Sequence, residues 1–108
     1  MCSGKVYFDL LEKKEKEGRA DVAVIRLEQI YPLPEKQLEQ LYKKYSKAFW
    51  VWVQEEPMNM GAATFLRMNL KNINFYIISR QASAATATGY SKVHAKEQAE
   101  IVGAAFTM

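Results

Sequence analysis

The residues of this chain able to do chemistry are few and far apart. The single thiol is Cys2 and the single imidazole is His94. A histidine beside a cysteine makes a nucleophile, so a Cys2–His94 pair is formally available. The plainer reading makes Cys2 a small apolar residue at a strand end and His94 a helix-surface or first-turn residue. A zinc site needs three or four such ligands, so none is expected. Glu55 and Glu56 offer paired carboxylates for acid–base work. Adjacent residues leaving a strand point to opposite faces, so at most one lines a given site, and an interfacial or capping carboxylate is the plainer reading. No GxxxxGK(S/T) or GxGxxG string occurs, which leaves a phosphate-binding loop or dinucleotide fingerprint without support. Ser3-Gly4-Lys5 shares only the last letters of the former.

The elements that must position these groups alternate along 108 residues, the size of one domain. Val6 to Glu17 carries apolar residues among charges and ends at Gly18, predicting an amphipathic helix with a glycine stop and Ser3 as its N-cap. Asp21 to Leu27 is apolar and β-branched, as expected of a strand covered on both faces. Pro34 suits the first turn of a helix over Glu35 to Tyr45. Phe49 to Val53 is the second predicted strand, halting at Gln54-Glu55-Glu56-Pro57. A short helix over Ala62 to Leu70, a strand over Asn74 to Ile78, a loop over Gln81 to Ser91 and a helix over Lys92 to Phe106 complete the pattern. Such alternation predicts an α/β domain of three layers with a mainly parallel sheet.

Composition bounds the function classes. Hydrophobic residues make up 49% and charged residues 25%, and the net charge is +3. Lys13, Lys14 and Lys16 are interleaved with Glu12, Glu15 and Glu17, the pattern of a solvated helix face rather than a nucleic-acid patch. No apolar run approaches the roughly 20 residues that span a bilayer, and no leader pattern opens the chain. Neither nucleic acid nor membrane is an expected partner. One cysteine cannot form an internal disulfide, which fits a reducing compartment.

Polar residues gather at the predicted strand ends: Ser3-Gly4-Lys5, Glu28-Gln29, Gln54-Glu55-Glu56 and Ser79-Arg80-Gln81. In open parallel sheets, ligands bind beyond the carboxyl ends of the strands, where helix N-termini also offer N–H groups to anions. Lys5 and Arg80 would add positive charge there, and Arg80 could hold a phosphate bidentately. Two readings stand side by side: a site for an anion such as a nucleotide or the phosphates of coenzyme A, or helix caps and contacts to a neighbouring domain.

Four strings carry a resemblance. Cys2 to Leu11 (CSGKVYFDLL) is similar to a family's CSGKVYYDLL. Asp21 to Pro34 (DVAVIRLEQIYPLP) is similar to its DVAIVRIEQLYPFP, and Trp52 to Gly61 (WVQEEPMNMG) to its WVQEEPxNMGA. Arg80 to His94 resembles its RPASASPATGxxKVH. The match is collinear over essentially all 108 residues. The family is the decarboxylating component of the 2-oxoglutarate dehydrogenase complex, and the resemblance is to its C-terminal, transketolase C-terminal-like domain. It implies a full enzyme that uses thiamine diphosphate and Mg²⁺, decarboxylates 2-oxoglutarate in the tricarboxylic acid cycle, and passes the succinyl group to a lipoyl group. It implies as partners the remaining domains of the same enzyme, a homodimer mate, dihydrolipoyl succinyltransferase and dihydrolipoyl dehydrogenase. It also implies a cytoplasmic location in a bacterium or a mitochondrial-matrix one in a eukaryote.

The family's cofactor motif, of GDG…N type, lies in an earlier domain, and this chain has no GDG. It is therefore expected to hold no cofactor, to be inactive alone, and to play a structural or regulatory part; the alternative is a stand-alone module for acetyl-CoA or a nucleotide. Carried over by motif, the candidate anion ligands are Lys5, Gln54 and Arg80. Two departures weigh on them: Gln81 follows Arg80 where the family has Pro or a second Arg, and Ala85-Thr86 replaces Ser-Pro. In the family an apolar strand runs into CSGK inside the sheet; here Met1 and Cys2 are what remains of it. A fragment of a longer polypeptide or a truncated reading frame is expected, with ladder groups left unpaired and weak stability, oligomerisation or rearrangement when expressed alone.

Overall fold

A computed structural model describes residues 1–83 and 91–107, the side chains of residues 91–94 excepted. In chain order the elements are α1 (Val6–Glu17), α2 (Glu35–Lys44), β1 (Val51–Pro57), α3 (Ala63–Asn69), β2 (Tyr76–Arg80) and α4 (Ser91–Ala105). β1 and β2 form a two-stranded parallel sheet in which Val51, Trp52 and Val53 face Tyr76, Ile77 and Ile78. The class is α/β, as the alternation predicts.

The pleat sends successive β1 side chains to opposite faces, and each face carries its own apolar cluster. Trp50 and Trp52 pack with Leu38 of α2, Ala63 and Leu66 of α3, and Leu70, Ile73 and Phe75. Val53 packs on the other side with Cys2, with Val6 and Leu10 of α1, and with Ile101, Val102 and Phe106 at the end of the chain. The alternation of Trp and Val in β1 is thus the sequence signal for two helix-covered faces.

Helix α1 ends as its sequence predicts. Gly18 takes φ +60°, its N–H reaches Glu15 O at 3.3 Å, and Arg19 N–H reaches Lys14 O at 3.1 Å. Only glycine enters this left-handed region without a Cβ penalty. The start of α1 departs from expectation. Gly4 turns at φ +74°, and the capping position falls on Lys5, which makes no side-chain cap. Ser3 is therefore not the N-cap, because the glycine turn inserts two residues between it and the helix.

Two strands also differ. Asp21–Leu27 forms no strand; it contributes a single bridge, Arg26 to Cys2. A ladder needs a neighbour, and its neighbour is the two-residue stretch Met1–Cys2, which also bridges Val53. β1, conversely, does not stop at Gln54. It runs through Pro57, with a bulge between the rungs Val53–Ile78 and Pro57–Arg80. The bulge lets the segment carry extra residues and re-aim its side chains without leaving the sheet. Much of the Ala/Ser/Thr-rich stretch predicted as a loop, Ala85, Thr86 and Gly89 included, lies outside the described residues.

Candidate functional site

The bulged end of β1 is organised by one amide. Gln54 is 2% exposed. Its Oε1 accepts from Trp52 Nε1 at 2.8 Å and from the Ala63 N–H at 3.0 Å. Its Nε2 donates to Pro57 O and Met60 O, both at 2.9 Å, and to Glu56 O at 3.3 Å. A buried amide is costly unless its donors and acceptors are met; here both ends are. The result ties β1 to the turn 57–62 and to the first residue of α3. Gly61 completes the turn at φ +66°, where an added Cβ would lie 2.8 Å from Glu56 Oε2 and 3.2 Å from Gln54 Oε1.

Arg80 closes β2 on the opposite face. Its Nε donates to Glu55 O at 2.7 Å, and its Nη1 lies 3.3 Å from Glu97 Oε2 of α4. From the next residue of α4, Gln98 Nε2 donates to Asp9 Oδ2 of α1 and to Glu55 Oε1, each at 2.8 Å. Glu55, one of the two carboxylates for which an interfacial or capping part is expected, thus meets β2 through its carbonyl and α4 through its side chain, and Gln98 carries the link on to Asp9 of α1. Charge-assisted contacts of this kind outweigh neutral ones, and they hold the ends of four elements together.

The three carried-over residues do not share one face. Gln54 points toward α3, Arg80 toward α4. Lys5 is exposed at the start of α1, one helical turn before Asp9; its carbonyl accepts from Phe8 N–H at 3.0 Å, and its ammonium makes no hydrogen bond or ion pair to another described residue. Asp9, Glu97 and Gln98 were not singled out from sequence as parts of this edge. The i, i+4 spacing of Lys5 and Asp9 and the adjacent Glu97-Gln98 are compatible with it, but nothing in their types identifies the contact.

The remaining chemistry is muted. Cys2 is fully buried, its Sγ lies 3.7 Å from Ile25 O, and burial pushes its thiol up from the ordinary value, which disfavours the nucleophilic thiolate. The side chain of His94 lies outside the described residues. Among the described residues no group of three His, Cys, Asp or Glu side chains is arranged to hold a metal ion, and no helix is long and apolar enough to cross a membrane.

Fold and edge together define a small α/β domain whose strand ends are fastened by polar side chains. The family described as "2-oxoglutarate dehydrogenase C-terminal" matches residues 1–106, and the chain belongs to that family. It is 42% identical over 117 aligned positions to the 2-oxoglutarate dehydrogenase E1 component of Azotobacter vinelandii, covering 100% of this chain and 12% of that protein. It is 45% identical over 113 positions to the multifunctional 2-oxoglutarate metabolism enzyme of Mycolicibacterium vanbaalenii, covering 98% and 9%. To the E1 component of Haemophilus influenzae it is 40% identical over 108 positions, covering 94% and 12%. The chain therefore spans about a tenth of the length of these relatives, within their C-terminal region.

Proposed function

We propose that this chain is a non-catalytic structural and regulatory C-terminal domain of a thiamine-diphosphate-dependent 2-oxoglutarate dehydrogenase. The observation that carries the reading is the internal pairing of the strand-end edge. Gln54 is taken up by the β1–α3 turn, and Arg80, Glu55 and Gln98 fasten α1, β1, β2 and α4 together. Groups so engaged fix the shape of a domain rather than move protons in a reaction. The two helix-covered faces fit a transketolase C-terminal-like, three-layer domain, in which further strands would widen the sheet.

Within this reading the thiamine diphosphate, the Mg²⁺ and the decarboxylation of 2-oxoglutarate belong to other domains of the enzyme. So do the contacts to the succinyltransferase and the dihydrolipoyl dehydrogenase. The tricarboxylic acid cycle and a homodimer are the matching setting, and the bacterial relatives favour the cytoplasm. Lys5, exposed at the start of α1, and Arg80, at the carboxyl end of β2, are the residues that would meet an anionic regulator such as acetyl-CoA. Gln54 would act on such a site only by shaping the 57–62 turn.

Calorimetric titration with acetyl-CoA separates the regulatory part from the structural one. Saturable heat that is lost in both Lys5→Ala and Arg80→Ala supports a regulatory edge. Absence of heat at millimolar ligand leaves the edge purely structural and removes the stand-alone binding-module alternative.

A further inference from the structure

The guanidinium at the end of β2 already has an anion beside it. The Arg80 side chain is 15% exposed. Its Nε donates to Glu55 O at 2.7 Å, which holds the group against β1, while Nη1 stands 3.3 Å from Glu97 Oε2 of α4. A guanidinium held in this way loses little freedom on taking a ligand, and its planar fork matches a phosphate through two parallel bonds. The Glu97 contact, at 3.3 Å, is longer than the roughly 2.7–2.9 Å of a strong charge-assisted bond.

The carboxylates of this network are not equivalent. Asp9 Oδ2 and Glu55 Oε1 each accept from Gln98 Nε2 at 2.8 Å, and the two donors of that amide are spent on them. Glu97 stands at the longer distance from its partner, and its side chain is 34% exposed. It is the member that can turn out into water. An anion approaching Arg80 with Glu97 in place meets three carboxylates against one guanidinium, and like charges this close repel. With Glu97 turned out it meets two, both already bound by Gln98. Gln98 keeps its bonds to α1 and β1 throughout, so α4 stays seated by Ile101 and Val102, which are buried in one cluster with Val6 and Val53.

Resting on the regulatory reading of this edge, we propose that Glu97 is the internal competitor of the anionic regulator: a phosphate-bearing ligand binds Arg80 by displacing the Glu97 carboxylate, and Glu97 thereby sets the ligand's affinity. A phosphate group carries more negative charge than a carboxylate, about −1.5 to −2 at pH 7, and it can engage two donors of the fork at once. The exchange is reversible, because Glu97 returns when the ligand leaves. Its effect is to raise the ligand concentration at which the edge responds.

The test is calorimetric titration of inorganic pyrophosphate into the 108-residue chain, into Glu97→Gln, Glu100→Gln and Arg80→Met, and into the double variant of Glu97→Gln with Arg80→Met. Glu97→Gln is expected to bind at least about fivefold more tightly than the unaltered chain, the size of a modest ion-pair energy. Glu100→Gln removes the same charge from an exposed position on the same helix; salt screens such a charge, and a change below about twofold is expected. The gain at Glu97 is expected to vanish in the double variant. If the Arg80 variants lose their circular dichroism spectrum, the contrast between Glu97→Gln and Glu100→Gln decides alone. Binding by Glu97→Gln and not by the unaltered chain also supports the competitor role. Equal affinity of those two forms, an equal gain in Glu100→Gln, or a gain that persists without Arg80 overturns it and leaves the regulatory reading standing. Absence of pyrophosphate heat in every form overturns it too, and titration with acetyl-CoA then decides separately on the regulatory reading.

Discussion

The two ends of β1 are built in opposite ways. At the Pro57 end, one buried glutamine satisfies a tryptophan N–H, the first N–H of α3 and two turn carbonyls, while Arg80 and Gln98 bind the other face. No buried side-chain N or O atom among the described residues lacks a partner. At the Val51 end, pairing toward Asp21–Ile25 rests on Met1 and Cys2 alone. The Pro57 end is thus fastened by side chains, and the Val51 end by main-chain bonds to Met1 and Cys2. Side-chain polarity placed inside the fold can finish a sheet edge, whereas apolar residues such as Val22 and Val24 cannot do so without another backbone beside them.

This contrast can be broken most directly at Gln54. Gln54→Leu removes the acceptor of Trp52 and Ala63 and the donor to Pro57 and Met60. An unsatisfied buried group costs about 1–3 kcal/mol, so the loss is expected near 3 kcal/mol or more by chemical denaturation. Gly61→Ala comes next, at about 1–2 kcal/mol, because a Cβ is disfavoured at φ +66° and meets Glu56. Arg80→Met should cost about 1–2 kcal/mol through the lost contact to Glu55 O. Val24→Ala, at a half-buried position, should cost less than about 1 kcal/mol. Equal losses at Gln54 and Val24 would break the comparison.

A pH series sharpens it. The Met1 ammonium is held near 6 in the folded chain, against an ordinary value of 8.0. Between these values the unfolded chain binds a proton that the folded chain does not. Stability therefore rises with pH across that window and is flat with respect to this group below it. Acetylating Met1 should flatten the rise, measured as the difference between the two forms in urea denaturation at pH 5.5, 7 and 8.5.

Much of this was legible in the sequence, and the failures have physical causes. The glycine stop at Gly18, the helix after Pro34 and strands in the Phe49–Val53 and Asn74–Ile78 regions follow from local signals that the fold leaves intact, and the strand–helix alternation gives their parallel sense. The Asp21–Leu27 strand was predicted from β-branched composition, but a strand exists only through its neighbour, and composition says nothing of that. Gln54 was visible as a polar residue at a strand end; its inward orientation depends on Trp52 two residues before it and on Ala63, nine residues later. The Glu55–Gln98–Asp9 contact joins residues up to 89 positions apart, beyond the reach of any local pattern.

As proposed, this domain fixes structure and does no chemistry of its own. A steady-state assay of the purified 108-residue chain with 2-oxoglutarate, thiamine diphosphate, Mg²⁺ and ferricyanide as electron acceptor tests this. The expected rate equals the protein-free blank. Turnover that disappears in Glu55→Gln would contradict it.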